Sequence, residues 1–232
     1  MKLIIKIIII FLISVTLNAR EIGETEITTE DGIEVFQNEK FYLLKQNVKI
    51  ESDNFTLNAD EVKINFDKNL YDITELDAYG SVDFYSKIFG IKGNGNFLNF
   101  EVNIEKIKVE GQGSELITKD VKMFSDGFIE VSNLSGDFLL KGINSKLVNE
   151  NIIIIAENID GKFSKNTENQ EITYLEVNDN KISYVKNNDT EMYAKKINFD
   201  NDTSIIELID EVIIIRNQEQ ITGDYGTLDT KN

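Results

Sequence analysis

The 232-residue sequence contains no cysteine, no histidine, no proline and no tryptophan. Without Cys and His, the chain cannot form a disulfide, a zinc site with the usual nitrogen and sulfur ligands, a thiol nucleophile or a Ser-His-Asp triad. Any stability outside the cytoplasm must therefore come from packing and not from covalent cross-links. These absences remove most hydrolases and metalloenzymes, and we expect neither a metal nor a cofactor.

Positive charge is also scarce, with 24 Lys and Arg against 41 Asp and Glu and a net charge of -17. This balance opposes binding to phosphate backbones, so we expect no nucleic-acid partner. The many carboxylates raise the alternative of a glycosidase that uses a carboxylate pair. Such an acid needs an apolar pocket to raise its pKa, and here the carboxylates fall at the outward positions of alternating segments. The sequence therefore predicts a protein that is not an enzyme.

Residues 1–19 have the pattern of a secretory signal peptide. Lys2 and Lys6 precede an apolar run, and the small residue Ala19 stands at the expected cleavage position. The run after Lys6 is shorter than the ~20 residues that span a bilayer. Leu17, the third residue before the cut, is unusual and leaves an uncleaved anchor as the alternative. We expect an exported protein with one domain over residues 20–232.

The remaining sequence is dominated by a period of two, in which apolar and polar residues alternate, as at Val62, Ile64 and Phe66. Alternation at this period is typical of β-strands with one buried face. Pairs such as Asn94-Gly95 and Asp160-Gly161 indicate tight turns between strands. At about 8 to 12 residues for a strand and its turn, the sequence predicts an all-β fold of about 16–20 short antiparallel strands.

A weak repeat accompanies the alternation. A valine follows a polar or small residue, and eleven positions later a small residue precedes Asp or Asn. The valines are Val48, Val82, Val121 and Val212, and the later pairs are Ala59-Asp60, Gly93-Asn94, Ser132-Asn133 and Gly223-Asp224. We interpret the valine as the start of a strand and the pair as a turn. Such units must stack to bury a face, which predicts an elongated assembly open at both ends. A secreted structural β-stack would share these signals.

Several of these segments resemble the LptA/OstA family of periplasmic lipopolysaccharide-transport proteins. The family hallmark is a Gly-Asn-Val step into a strand, followed by an Ala-Asp return. The matching segments are Ile27–Val35, Asn47–Ile50 with Leu57–Asp60, Leu76–Val82 and Ile221–Tyr225. Residues 140–195 match poorly, so their strand register is not predicted.

The resemblance implies an elongated, twisted, V-shaped β-jellyroll with a continuous apolar groove. Lipid A acyl chains would lie in the groove while the sugars and phosphates stay in water. The expected groove residues are Phe36, Val48, Ile50, Phe55, Leu57, Ile64, Phe66, Val82, Phe84, Phe97, Val212 and Ile214. Aromatic residues at alternate positions are also typical of an ordinary core, so this alternative stays open for each of them.

The resemblance also implies a periplasmic bridge between two membranes. Unpaired strands at the two ends would join other chains. The expected partners are an LptC-like inner-membrane protein at the N-terminal edge and an LptD-like outer-membrane translocon at the C-terminal edge, with head-to-tail self-association as a further option. Our candidate end strands are Ile33–Phe36 and Val212–Arg216. An anchored, LptC-like component of the same pathway is the alternative function.

Overall fold

The structure, a computed structural model, describes residues 25–150, 152–164 and 171–230, so the expected signal peptide at 1–19 lies outside the described residues. The described chain forms sixteen strands in one antiparallel sheet, with a single 3₁₀ turn at Val102–Ile104. The strands are β1 Glu26–Thr28, β2 Ile33–Phe36, β3 Phe41–Glu51, β4 Phe55–Phe66, β5 Ile73–Ser86, β6 Ile91–Glu101, β7 Lys106–Glu110, β8 Ser114–Ile117, β9 Val121–Ser125, β10 Phe128–Ser132, β11 Asp137–Asn149, β12 Ile152–Phe163, β13 Ile172–Asn187, β14 Thr190–Asp200, β15 Ile205–Arg216 and β16 Glu219–Asp229. The predicted all-β jellyroll is confirmed.

The sheet is divided into two layers because its long strands bend. The pairing of β3 with β4 shifts register between Lys45 and Val48, and the pairing of β15 with β16 shifts between Ile209 and Val212. Layer I contains β2, β7 and β10, whereas layer II contains β1, β8 and β9. Each of the ten longer strands contributes one half to each layer. The turns between successive long strands therefore fall alternately at the outer edge of layer I and of layer II.

The core lies between the two layers. Inward residues such as Leu44, Val62 and Ala78 are fully buried, and the residues between them face solvent. One connected apolar cluster runs from Tyr42 to Val212. The period-two pattern therefore builds two inner faces that cover each other, and burial of these faces is the main source of stability.

Most of the repeated valines lie just after a bend within a strand, and not at the start of a strand as the sequence predicted. Val48, Val82 and Val212 are the first buried residues of layer II after a bend, and only Val121 begins a strand. Val48 pairs with Ala59 and Val212 with Gly223, so the small residue eleven positions later is a cross-strand partner and not part of a turn. Val82 pairs with Gly95 instead of Gly93. The motif marks the position where a strand passes from one layer to the other.

The expected turn pairs Asn94-Gly95 and Asp160-Gly161 lie inside β6 and β12, so that expectation is wrong. A Cβ on Gly95 would stand 2.6 Å from Val109, and one on Gly161 would stand 2.3 Å from the Phe138 ring. These glycines make room for an inward side chain of the neighbouring strand. Because these signals do not end strands, the ten long strands reach 11 to 16 residues.

The described residues between 140 and 195 form regular antiparallel strands, although the sequence did not predict their register. The run Ile152–Ile155 is apolar on both faces, with Ile154 fully buried and Ile155 39% exposed. A continuous apolar run shows no alternation, so it cannot indicate which face is inward.

A buried carboxylate fixes the bend in this region. Asp179 is 7% exposed, and it accepts hydrogen bonds from the backbone N–H of Glu157 and of Asn158 and from the Ser183 hydroxyl, at 2.5, 2.9 and 2.8 Å. These donors on β12 and β13 are thereby satisfied where the regular ladder between the two strands is interrupted. At the bend, Asp179 accepts the backbone hydrogen bonds that carbonyl groups of the neighbouring strand accept in the regular parts of the sheet.

Replacing Asp179 with alanine is expected to lower the free energy of unfolding by roughly 3 kcal/mol, because several donors lose a charged acceptor inside the protein. Chemical denaturation measures the change. Asp83→Ala, at an exposed position of β5, is the matched control and is expected to change stability by less than about 0.5 kcal/mol. Equal effects of the two substitutions would contradict this role.

Candidate functional site: an apolar cavity at the N-terminal end

A large apolar cavity lies between the layers at the N-terminal end of the sheet. Its volume is about 730 Å³, within the range of about 300 to 1,000 Å³ that is usual for sites that bind small molecules. Its wall combines layer II residues from β1, β3 and β4 with layer I residues from β2 to β6. The lining residues are Thr25, Ile27, Ile33, Val35, Tyr42, Ile50, Ser52, Phe55, Ile64, Leu70, Tyr71, Ile73, Leu76, Phe100 and Val102. None of these side chains carries a charge.

The cavity is open because β1 and β2 are the last strands of the described sheet. Ile33 and Val35 point toward the interior, but they are 50% and 47% exposed because no further strand covers them. Tyr71, in the turn after β4, is 93% exposed at the rim. Contiguous exposed apolar surface of this kind marks a site for a ligand or a partner.

Aromatic rings close the inner end of the cavity. Phe55 and Phe100 form its wall, and the Phe100 ring meets the Phe89 ring edge to face, with 6.1 Å between the ring centroids. Behind these rings is a void of about 20 Å³, which is room for about one water molecule. Phe89 comes from the layer II turn and Phe100 from layer I, so the two rings connect the layers.

Beyond these rings the interior is filled by its own side chains. Leu116, Met123 and Ile129 have no exposed surface. A second apolar cavity, between Ile154 and Ile197, measures only about 100 Å³. In the described part of the chain, the large apolar cavity therefore lies at the N-terminal end, and the continuous groove that the resemblance implies stays a prediction.

Ten of the twelve expected groove residues lie on the inner faces, in three different settings. Ile50, Phe55 and Ile64 line the large cavity, and Phe84 lines the void behind it. The remaining six pack in the interior or at its margin, away from the large cavity: Val48, Leu57, Phe66, Val82, Val212 and Ile214. The structure thus brings only three of the twelve together at the cavity.

Phe36 and Phe97 lie on the outer face, so the expectation that they line the interior is wrong. Phe36 pairs with Phe41, and the two rings stack with centroids 4.5 Å apart. Phe97 contacts the exposed Tyr79, with centroids 5.0 Å apart. In each strand an adjacent apolar residue, Val35 or Leu98, takes the inward position instead.

Sequence reasoning missed several wall residues. Ile27, Ile33 and Val35 belong to the segment that resembles the family, but the prediction for this region was an end strand at Ile33–Phe36 and not a binding wall. Leu70 and Tyr71 lie in the turn between β4 and β5, where periodicity gives no signal. Their position at the cavity depends on tertiary structure alone.

The polar groups of the wall remain uncharged near neutral pH. Burial raises the pKa of the Tyr42 phenol above its ordinary value, so the phenol keeps its proton. Charged groups stand outside, such as Lys40 and Asp67, which form an exposed ion pair at 2.9 Å. The wall therefore suits an apolar chain, and the rim suits a solvated polar group.

On the outer face, folding disfavours the ionised form of the Asp160 carboxyl group. Burial raises the pKa of Asp160, and Glu176 and Asp137 raise it further, while Lys141 opposes them. A pKa raised by folding means that ionisation of Asp160 costs stability, and the loss develops as the pH rises from the unfolded to the folded pKa.

Asp160→Asn is therefore expected to raise the melting temperature near neutral pH. The difference from the parent protein is expected to disappear at about pH 3, where the carboxyl is protonated in both the folded and the unfolded state. Thermal unfolding at the two pH values checks this. A difference of the same size at both would contradict the assigned cause.

Two other kinds of functional feature are absent from the described residues. No group of three or more Asp and Glu side chains in residues 25–150, 152–164 and 171–230 is arranged to hold a metal ion. In the same ranges, no helix has the length and apolar character needed to cross a bilayer.

Comparison with known proteins identifies a family. The model of the family described as "LptA/(LptD N-terminal domain) LPS transport protein" matches residues 27–125 and again residues 130–232. No curated protein sequence matches the chain. Among solved structures, LptH, the LptA-homologous periplasmic component of the lipopolysaccharide transport device of Pseudomonas aeruginosa, matches with a TM-score of 0.40 and 13% identity, over 47% of this chain and 76% of that one.

Proposed function

Since the chain belongs to the LptA and LptD N-terminal domain family of lipopolysaccharide transport proteins, we propose that its N-terminal cavity receives the acyl chains of lipopolysaccharide. The observation that carries the proposal is the uncharged wall of the 730 Å³ cavity, which includes the half-exposed side chains of Ile33 and Val35 at the edge of the described sheet. Its opening at the end of the sheet lets a headgroup remain in water.

The energetics favour this use of the site. Each methylene that leaves water for the apolar wall contributes about 0.8 kcal/mol, so a few methylenes in each acyl chain give substantial affinity. The chain as a whole has a net charge of -17, which disfavours contact with the phosphates of a lipid A headgroup. Apolar contact therefore supplies the binding energy, and the headgroup stays solvated.

The protein acts, in this proposal, as a periplasmic bridge that joins other components through its end strands. The N-terminal edge is formed by β2 in layer I and β1 in layer II, and an LptC-like protein is the proposed partner there. The C-terminal edge is β16, Glu219–Asp229, with an LptD-like partner. The candidate Val212–Arg216 was wrong for this edge, because those residues lie in β15 and are already paired with β16.

An anchored form remains the second candidate, because Leu17 is unusual in a cleaved signal. The two forms differ at the N-terminus and not at the cavity. Intact-mass measurement of the exported protein distinguishes them: a chain that begins at Arg20 supports the bridge, and a chain that begins at Met1 supports the anchored component.

Native mass spectrometry with purified lipopolysaccharide tests the binding proposal. We expect complexes of the protein with intact lipopolysaccharide and no complexes with chemically deacylated lipopolysaccharide, which keeps the headgroup but lacks the chains. Equal binding of both preparations, or binding of neither, would overturn the proposal.

A further inference from the structure

The outer face of layer II is polar near the N-terminal end of the sheet and apolar toward the C-terminal end. One row of cross-strand partners on this face consists, on β3 to β6, of Lys49, Asn58, Asp83 and Asn94. The same row continues across the sheet, and on β12 to β15 it consists of Ile155, Tyr184, Tyr193 and Ile213. The solvated face of an antiparallel sheet is usually polar. The C-terminal part of layer II is therefore unusual, because it is apolar on both faces.

A second row runs beside the first, two residues closer to the outer edge of layer II. On β12 to β15 it consists of Ile153, Lys186, Glu191 and Ile215. We call the eight residues of the two rows on these four strands the outer patch. Neighbouring strands cover these side chains in part, and Ile155 is 39% exposed. Contiguous exposed apolar surface of this kind indicates a surface that another molecule covers.

The outer patch has two charged side chains of opposite sign. Lys186 Nζ lies 3.9 Å from Glu191 Oε1, and the Tyr193 hydroxyl donates a hydrogen bond to Glu191 Oε2 at 3.3 Å. The patch is therefore neutral in a chain whose net charge is -17. An anionic membrane attracts clusters of Lys and Arg, so a neutral patch does not suit it. Two copies of an acidic chain, by contrast, repel each other least through a face without net charge.

The outer patch is complementary to itself about a two-fold axis that runs along the strands between β13 and β14. Two copies of layer II then lie back to back, and Lys186 of each copy faces Glu191 of the other. Tyr184 faces Tyr193 in the same way. The axis also sets the four isoleucines in pairs, Ile153 with Ile215 and Ile155 with Ile213. An interface with two-fold symmetry needs a self-complementary patch of this kind.

Like charges do not meet at the two side margins of this contact. Lys146 of β11 pairs with Ile155, and Thr222 of β16 pairs with Ile213, so the same axis sets Lys146 opposite Thr222. At the bend, charged residues already form ion pairs within the chain: Lys181 with Glu157 at 2.6 Å and Lys195 with Glu211 at 2.5 Å. These pairs add no net charge beside the patch.

The size of the contact predicts a weak dimer. The six strands from β11 to β16, about 4.8 Å apart, and five residues of each at about 3.4 Å cover roughly 500 Å² on each copy. The total of about 1,000 Å² is below the range of about 1,200 to 2,000 Å² that stable complexes bury. We therefore expect dimers to predominate at about 100 μM and monomers at about 1 μM.

We propose that two copies of this chain associate back to back through the outer patch of layer II. The contact covers isoleucine and tyrosine side chains that are partly exposed in the single chain, and it joins Lys186 of each copy to Glu191 of the other. It leaves the N-terminal cavity and the two end strands of the sheet uncovered. The inference therefore does not depend on lipid capture or on the joints proposed at the ends.

Charge reversal tests the two-fold arrangement by sedimentation equilibrium of the exported protein without lipid. At about 0.15 M salt the Debye length is about 8 Å, so carboxylates of the other faces are screened. Lys186→Glu and Glu191→Lys are each expected to weaken self-association at least tenfold, or by about 1.4 kcal/mol, because like charges then face each other across the axis. An equimolar mixture of the two variants is expected to form mixed dimers at least tenfold more tightly than either variant alone, because opposite charges meet again.

The matched control is Lys162→Glu on the outer face of layer I. Like Lys186, Lys162 faces a carboxylate on the neighbouring strand, with 3.0 Å between its Nζ and Asp137 Oδ1. This variant is expected to leave the dissociation constant of the dimer within about twofold of the parent value, well under the ~1.4 kcal/mol of a tenfold change. Ile155→Lys tests the apolar part of the patch independently of the reversed charges, and it is expected to weaken the dimer at least tenfold.

Several outcomes would overturn the inference. One is a parent protein that stays monomeric at about 100 μM, where the contact area predicts dimers. Another is self-association that survives both Lys186→Glu and Ile155→Lys, which would place the contact on a different surface. A mixture of the two charge variants that stays monomeric would contradict the two-fold pairing. Binding of the monomer to vesicles of phosphatidylethanolamine and phosphatidylglycerol, lost in Ile155→Lys, would assign the patch to a membrane instead.

Discussion

Val35→Glu is expected to weaken capture of lipopolysaccharide by more than tenfold while the protein stays folded. Val35 is 47% exposed in the free protein, so a carboxylate there can stay hydrated until acyl chains fill the cavity. Binding would then strip water from an unpaired charge, which costs several kcal/mol. Titration with lipopolysaccharide, monitored by native mass spectrometry, measures the loss.

Phe36→Glu provides the matched control, because it introduces the same charge at the next residue of the same strand. Phe36 faces outward against Phe41, so the substitution is expected to leave capture within about twofold of the parent protein, well under the ~1.4 kcal/mol that a tenfold change represents. Equal losses of capture in the two variants would show that the acyl chains do not lie between the layers.

Phe100→Ala is expected to lengthen the cavity and to shift its preference toward longer acyl chains. The Phe100 ring separates the large cavity from the void behind it and contacts Phe89 across the layers. Removing the ring joins the two spaces, and the loss of packing is expected to lower the free energy of unfolding by about 3 kcal/mol. Competition among saturated fatty acids of increasing length, against a fluorescent acyl probe, measures the shift.

The control for this change is Phe163→Ala, which removes the same ring from another part of the interior. Phe163 is 5% exposed and packs against Phe138, with centroids 4.3 Å apart and away from the N-terminal cavity. It is expected to lower stability by a similar amount without changing the preferred chain length. A shift of the same size in both variants would indicate general loosening of the interior.

The alternating pattern was enough to predict that the chain forms strands. It was not enough to predict, for every strand, which residues face inward. Alternation determines the inward face only when one face is polar. In β2 the apolar residues Val35 and Phe36 are adjacent, and in β6 Phe97 and Leu98 are adjacent, so each strand has an apolar residue on both faces. The neighbouring strands decide, because they place Phe41 and Tyr79 on the outside next to these two rings.

The spacing of Val48 with Ala59 and of Val212 with Gly223 is visible in the sequence, but our interpretation of the second residue as part of a turn was wrong, because each pair joins consecutive strands. The bend next to Val212 was not predictable either, since the left-handed residues Asp210 and Glu211 carry no turn signature of their own. Such positions depend on the need to pass between layers, which is a property of the whole sheet.

The cavity could not be located from the sequence because it arises where the described sheet ends, beyond β1 and β2. Ile33 and Ile64 have similar local patterns, but one is half exposed and the other is buried, since only Ile64 is covered by strands on both sides. For the same reason β16, with few apolar residues, was not recognised as the end strand. An edge strand has no hydrogen-bonded neighbour on one side. The alternation of residues along the strand does not show whether that neighbour exists.

Site-specific photo-crosslinking tests the central claim most directly. A photoreactive phenylalanine analogue replaces Ile33, which lines the cavity, or Glu34, which follows it on the outer face. Both sites are exposed enough to accept the larger side chain. We predict that irradiation in the presence of lipopolysaccharide yields an adduct at residue 33 and little or none at residue 34. An adduct at 34 as strong as that at 33, or an adduct at neither, would contradict the assignment of the acyl chains to the space between the layers.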